Sequence, residues 1–428
     1  MERGSGAVEG LAALSPARCR LCGASLTTSL VDLGATPLAN CFVTPAQAAD
    51  GVDRPWPLHA RVCDGCLLVQ LDTIVPAESI FADYPYLSSC SSGWVEHARR
   101  FAVATIPRFG LGPGSLVLEV ASNDGYLLRH FVAAGIPVLG IDAAANVAAI
   151  AQANGVPTRV AFFGADTARA LAGQGVRADL TVANNVLAHV PDIVGFVAGF
   201  AAVLAPQGVA TFEFPHLLHL LAGVQFDTIY HEHYSYLSFL VVERLLAAAG
   251  LRAFEVAALP THGGSLRVYA CHAAADHAEQ SAVAETRERE RTAGLDRPDG
   301  YRGFAGRVAA VQRGLRAFLS AERAAGRRVA AYGAAAKGNT LLNTSRVGAD
   351  DIAYVADRNP AKQGRLLPGS HIPVVAPEML LADAPDDVVI LPWNIAGEVA
   401  AELAPLRAAG TRFWVAVPEM ATVSPGSG

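Results

Sequence analysis

LVLEVASNDGYLLRHFVAAGIPVLGID, residues 116–142, decides the fold. Leu116–Val120 reads as a short buried strand that runs into an acidic turn ending at Gly125, followed by a helix over Tyr126–Ala134 and a second strand over Val138–Ile141. Strand, helix and strand in that order make the unit of a parallel sheet. At Gly125 the backbone N–H groups can approach a cofactor closely, and the helix N-terminus adds a dipole that favours its carboxylate. The turn is no dinucleotide fingerprint, because Ala121 and Asn123 stand where GxGxxG has its small residues, so a pyrophosphate is disfavoured. Asp142 closes the second strand, where an acidic side chain takes ribose hydroxyls in this architecture. The pair of elements points to a nucleoside cofactor.

Outward from this unit the alternation continues. Asp179–Ala183 and Val209–Phe214 are expected strands, and Asn184 and Asn185 fall at a strand's C-terminal end, where open α/β sheets bind ligands. His189 follows closely and is read either as a structural histidine or as part of a site. Tyr236–Ala249 is expected to be helical, stopping at Gly250, and Ser265–Ala270 to be a late edge strand. ETRERER at 285–291 reads as a solvated helix face. A helix with Phe304, Val308, Val311, Leu315 and Phe318 on one apolar stripe comes next. A second β/α alternation then runs through Arg328–Tyr332, Ala353–Asp357, Val388–Leu391 and Phe413–Val417. The expected architecture is therefore α/β, with a small metal-binding domain over 17–75, a central Rossmann-like sheet over 76–272 and a C-terminal Rossmann-like domain over 273–428.

A chain of 428 residues is long enough for several cores. Its formal charge of −6, without a basic run, gives no footprint for a nucleic-acid backbone or an anionic membrane. The most apolar stretch, Phe200–Gln225, is interrupted by Pro206, Glu213, Pro215, His216 and His219, so it lacks the roughly 20 apolar residues of a spanning helix. Met1–Ala17 lacks the form of a secretory signal. A cytoplasmic protein with a small, soluble substrate is expected, with neither nucleic acid nor membrane as partner.

Four of the seven cysteines form two pairs, Cys19-x-x-Cys22 and Cys63-x-x-Cys66, in a turn-rich segment that needs a staple. Four thiolates at this spacing satisfy a closed tetrahedral zinc, which leaves no position for catalysis and makes the metal structural. Farther along, FDTIYHEHYSY (226–236) packs two histidines, a glutamate and three tyrosines into one segment. It is not a zinc-protease motif, since HExxH sets its histidines four apart and His231 and His233 are two apart. General acid/base work fits these groups: a histidine titrates near neutrality, a carboxylate orients it, and a phenol donates to a developing oxyanion. The alternative is a polar segment that shapes a pocket.

Together the CxxC pairs, YPYLSSCSSGWVEHAR (84–99), LEVASNDGYLL (118–128), NNVLAHVPD (184–192), the histidine-rich segment, HGGSLRVY (262–269), GAAAKGNTLLN (333–343) and ILPWN (390–394) resemble the three-domain nucleotide-sugar C-methyltransferases, which install branch methyls at C3 of deoxysugars in antibiotic pathways. The resemblance spans nearly the whole chain. It implies a class I methyltransferase sheet in the middle domain holding S-adenosylmethionine, with the sugar nucleotide between that domain and the C-terminal one. It implies His233 as the catalytic base, with Tyr230, Glu232, His189 and Tyr86 as a polar shell. Glu119, Ala121, Ser122, Asn123, Gly125 and Asp142, with Ser88, Asn184 and Asn185, are the implied cofactor residues, and Lys337, Asn339 and Arg267 the implied substrate residues. The implied substrate is a dTDP-linked 4-keto deoxysugar, methylated after enolate formation. Two alternatives stay open: a bifunctional enzyme whose C-terminal domain reduces the ketone with NADPH, and a non-catalytic sugar-nucleotide-binding protein on the same fold.

Overall fold

The computed structural model describes residues 17–76, 80 and 87–423. Tyr86 lies outside the described residues.

Three sheets organise them. The first is antiparallel and holds β1 (Thr28–Thr36), β2 (Trp56–Val62) and β3 (Val69–Leu71). Its buried residues include Leu30, Leu58, Ala60, Val62 and Val69, a small apolar face. One cysteine pair precedes β1 and the other lies in the β2–β3 turn, so the two pairs meet at one end of this sheet.

The second sheet contains β4 (Val117–Val120), β5 (Val138–Asp142), β6 (Thr158–Val160), β7 (Ala178–Asn184) and β8 (Leu204–Pro215). β9 (Ser235–Tyr236) leaves this domain and pairs antiparallel with β3 of the first sheet. β10 (Leu251–Leu259) and β11 (Ser265–His272) complete the second sheet in the order β10-β11-β8-β7-β4-β5-β6. All neighbours are parallel except those involving β11. From β4 the chain proceeds outward through β5 and β6, then returns to β7 on the other side. The switch in direction opens a crevice between the C-terminal ends of β4 and β7, the place where such sheets bind ligands.

The third sheet has the order β14-β13-β12-β15-β16-β17, with β12 (Val329–Tyr332), β13 (Val355–Ala356), β14 (Val374–Val375), β15 (Asp387–Ile390), β16 (Arg412–Val415) and β17 (Ala421–Thr422). Only β17 is antiparallel to its neighbour. The α/β organisation expected from the alternating apolar runs is thus what the chain adopts. Among the described residues no helix is long and apolar enough to cross a membrane.

Four local expectations need correction. Ser265–Ala270 is no edge strand: β11 is hydrogen-bonded on both sides, and β10, which was not anticipated, takes the edge. The helix expected from Tyr236 begins at Phe239, because Ser235–Tyr236 is taken by β3 and Ser238 caps the helix by accepting from Val241 N. The charge run at 285–291 is not simply a solvated face. Glu290 is fully buried and accepts from Phe239 N at 2.5 Å, Leu240 N at 2.9 Å and His216 Nε2 at 2.6 Å. It neutralises N–H groups that the helix itself leaves unpaired. On the long helix Phe304–Ala324, Leu319 rather than Phe318 extends the buried stripe, and Phe318 packs on Trp414 with ring centroids 4.8 Å apart.

Candidate active site

At the end of the first sheet the four Sγ atoms of Cys19, Cys22, Cys63 and Cys66 lie within 4.8 Å of one another. The Cys19–Cys66 and Cys22–Cys63 pairs are each 3.4 Å apart. Zinc–thiolate bonds of about 2.3 Å require a tetrahedral edge of about 3.8 Å, so the donor set fits one zinc ion. Gln70 Nε2 also donates to Cys19 Sγ at 3.2 Å, a hydrogen bond that orients the ligand and stabilises its charge.

The crevice between β4 and β7 is lined by a second group. Ala121, Asn123 and Gly125 all have positive φ, and a Cβ at Gly125 would lie 2.9 Å from Val156 Cγ2, so the turn's tightness requires glycine there. Asp142 holds the turn: its Oδ2 accepts from Asn123 N at 2.8 Å and its Oδ1 from Ala144 N at 2.9 Å. Each oxygen retains lone-pair capacity for a hydroxyl. Asn123 Oδ1 in turn accepts from Ser88 N at 2.9 Å, which brings Ser88 to the same place. Around them Glu119 Oε2, Ser122 Oγ, Asp124 Oδ1, Asn184 Oδ1 and both amide atoms of Asn185 are buried without a protein partner. Buried polar atoms cost about 1–3 kcal/mol each when unsatisfied, so such a concentration marks a hole lined for a polar guest. Burial, reinforced by Asp142 and Asp124, holds the Glu119 carboxyl far above the usual range. These residues fit the nucleoside and amino-acid ends of S-adenosylmethionine.

The histidine-rich segment lies beside that crevice. His233 is half-buried and enclosed by the rings of Tyr230, His189 and Tyr236, at centroid distances of 4.1, 4.6 and 6.3 Å. Its Nδ1 sits 2.8 Å from Thr228 O. A carbonyl only accepts, so Nδ1 carries the proton and Nε2 is the basic nitrogen. Desolvation, with His189 adding to it, pushes the His233 pKa well below the usual histidine value, and the ring is neutral at pH 7. His189, lowered by burial to about 4, hydrogen-bonds the Glu232 backbone and is neutral as well.

Not all the expected groups join them. The Glu232 carboxylate does not orient His233; it accepts from Asn40 Nδ2 at 2.7 Å, and burial raises it to about 7. The Arg267 guanidinium is taken up by buried Glu213 and stacks 4.4 Å over Phe101. Asn339 Nδ2 donates to Ala39 O at 2.5 Å, which directs it toward the first domain. Lys337, by contrast, reaches the site's edge. Its Nζ donates to Asn394 Oδ1 at 2.6 Å and lies 4.6 Å over Trp393, whose Nε1 donates to buried Asp227 at 2.7 Å. Burial raises the Asp227 carboxyl to about 6. Gly263 makes room for this arrangement, since a Cβ there would collide with the Trp393 ring. Asn40, Asp227, Trp393 and Asn394 were not anticipated individually, although the last three lie inside the motifs FDTIYHEHYSY and ILPWN.

Three family profiles match the chain in sequence: "Putative zinc binding domain" over residues 19–81, "Methyltransferase domain" over 94–256 and "C-methyltransferase C-terminal domain" over 260–418. The C-methyltransferase NovU of Streptomyces niveus is 37% identical over 406 residues, covering 95% of this chain and 96% of NovU. A ubiquinone biosynthesis O-methyltransferase of Bartonella bacilliformis is 31% identical over 104 residues, 24% of this chain and 42% of that protein. Among solved structures, magnesium protoporphyrin IX methyltransferase from Synechocystis PCC 6803 gives a TM-score of 0.35 at 18% identity, covering 42% of this chain and 85% of that one.

Proposed function

The chain belongs to the C-methyltransferase family that includes NovU, and on that premise we propose that it methylates C3 of a dTDP-linked 4-keto deoxysugar, with His233 as the base. The enzyme is an S-adenosylmethionine-dependent methyltransferase with a four-cysteine site for structural zinc. The observation that carries the finer reading is the tautomer of His233: with Nδ1–H committed to Thr228 O, a neutral ring presents a basic Nε2 beside the cofactor crevice.

A carbon next to a ketone is weakly acidic, so its methylation needs a base for the proton and a donor for the oxygen that gains charge. His233 Nε2 takes the C3 proton, and the electron pair moves onto the C4 oxygen. Tyr230, its ring tilted against that of His233, donates its phenol hydrogen bond to that oxygen. When bound, S-adenosylmethionine supplies the electrophilic methyl group. Asp142 and the 121–125 turn hold and aim it, and Lys337 at the C-terminal domain's edge meets the anionic diphosphate of the sugar nucleotide.

The test is mass spectrometry of the product formed from S-adenosylmethionine and dTDP-4-keto deoxysugars, repeated in heavy water. A single added methyl on carbon in the product is expected, with His233-dependent exchange of the C3 hydrogen for deuterium in the sugar that has not been methylated. A methyl on oxygen, or uptake at C3 unchanged in His233→Ala, overturns the reading.

A further inference from the structure

We propose that Arg20, seated inside the first Cys-x-x-Cys, is a positioning residue that ties the metal site to the catalytic segment and thereby sets the aim of His233. The proposal rests on the assignment of His233 as the base.

The segment 230–236 is built like a comb. His233 turns toward Thr228, while the residues on either side of it are held by the first domain. His231 Nε2 donates to the backbone carbonyls of Trp56 and Pro57, at 3.3 and 3.2 Å. The Tyr234 hydroxyl donates to Val75 O at 2.6 Å, and Leu71 N donates to Tyr234 O at 3.0 Å. Ser235 and Tyr236 then form β9 against β3.

Arg20 joins that comb to the metal. Its guanidinium donates to Tyr234 O, to Ser235 Oγ at 3.3 Å and to Leu71 O at 2.8 Å. Its own N–H donates to Gln70 Oε1 at 3.0 Å, and the same Gln70 side chain donates to Cys19 Sγ. A side chain between two metal ligands thus reaches the main chain one residue beyond the base. From the other pair, Cys66 O accepts from Arg244 Nη1 at 2.7 Å on the helix that follows the catalytic segment. One cysteine pair is therefore fastened to the segment and the other to the helix that follows it. A planar, forked donor suits this junction, since it bonds several acceptors in fixed directions, which an ammonium does not.

The experiment compares wild type, Arg20→Ala, Arg20→Lys and His233→Ala, all with zinc content, S-adenosylmethionine affinity and hydrogen exchange of peptides covering 228–237 measured alongside turnover. Because misplacing a reacting group by about 1 Å can cost up to about 100-fold, Arg20→Ala is expected to lower kcat by about 10- to 100-fold. Zinc and cofactor affinity should stay at wild-type levels while exchange in 228–237 rises, and Arg20→Lys should recover part of kcat. Unchanged kcat with zinc retained overturns the proposal, as does a loss accompanied by weakened cofactor binding and a general rise in exchange. A normal rate in His233→Ala overturns the base assignment instead, and an inactive His233→Ala beside a normal Arg20→Ala overturns only the role of Arg20. If Arg20→Ala does not fold, chelating zinc from the wild type decides: faster exchange in 228–237 supports the coupling, and unchanged exchange overturns it.

Discussion

The two Rossmann-like sheets share one clasp and use it differently. In the central sheet Asp142 accepts one N–H from the turn after the first strand and one from its own residue i+2. In the C-terminal sheet Asp357 does the same, accepting from Ala334 N and Asn359 N, each at 2.8 Å. Around Asp142, Glu119 Oε2, Ser122 Oγ, Asp124 Oδ1 and both amide atoms of Asn185 are buried without a protein partner. Around Asp357 the protein supplies its own: Lys362 Nζ lies 3.5 Å from the carboxylate, donates to Ala334 O at 2.7 Å and sits 5.3 Å over Phe42 of the first domain. The first turn is also closed, with a Cβ at Gly333 falling 2.5 Å from Pro392. One fold therefore yields an open crevice and a filled support, and the difference lies in what surrounds the shared aspartate, unpartnered polar atoms in one sheet and Lys362 in the other. This counts against a nicotinamide site in the C-terminal domain.

The largest effect expected from this division is at the central sheet. His233→Ala should lower kcat by about 10²- to 10⁴-fold, with S-adenosylmethionine binding intact by calorimetry, since a positioned base contributes that much. Next come the two aspartates. Asp142→Ala should weaken S-adenosylmethionine binding by about 10- to 100-fold, the loss of a charge-assisted hydrogen bond, and Asp357→Ala should leave that affinity alone. Equal losses would erase the distinction, and NADPH binding by the wild type, read as a fluorescence titration, would reverse it. Lys337→Ala should raise KM for the sugar nucleotide by about tenfold, the size of one exposed charge-assisted contact, with smaller loss in kcat.

The smallest effect concerns Glu232. Its folded pKa, about 7, is raised above the ordinary carboxylate value by burial. A raised folded pKa means the contribution to stability is present below the ordinary range and is lost as pH rises through about 7. Glu232→Gln keeps an acceptor for Asn40 and removes that loss. Melting temperatures should show the variant gaining on wild type as pH rises from the ordinary carboxylate value to about 7 and keeping a constant lead above it, and a difference that does not change over that interval would refute the buried, proton-bearing Glu232.

What was legible in the sequence follows from how each element is specified. Apolar runs such as Leu116–Val120 announce parallel strands because both sheet faces are covered. The cysteine pairs announce a metal because their spacing is itself the ligand geometry. Glu290 was not legible: it sits in a run of charges, and its partners are backbone N–H groups of Phe239 and Leu240, which no residue type signals. β9 was missed because two residues carry no period. The orientation of His233 was misread for a similar reason. A nearby glutamate in sequence suggested the orienting group, whereas the acceptor is the main-chain oxygen of Thr228.

The strand shared between β3 and β9 also sets an order of events during synthesis. The first domain leaves the ribosome early, but its outer edge at β3 has no partner until residues 235–236 have been made. At about 5–20 residues per second the wait is on the order of ten seconds, during which β3 is an open edge of the kind that pairs with other chains. The nascent domain is thus completed only by the arrival of the segment that carries the base, and a truncated chain ending before residue 235 should be prone to aggregate.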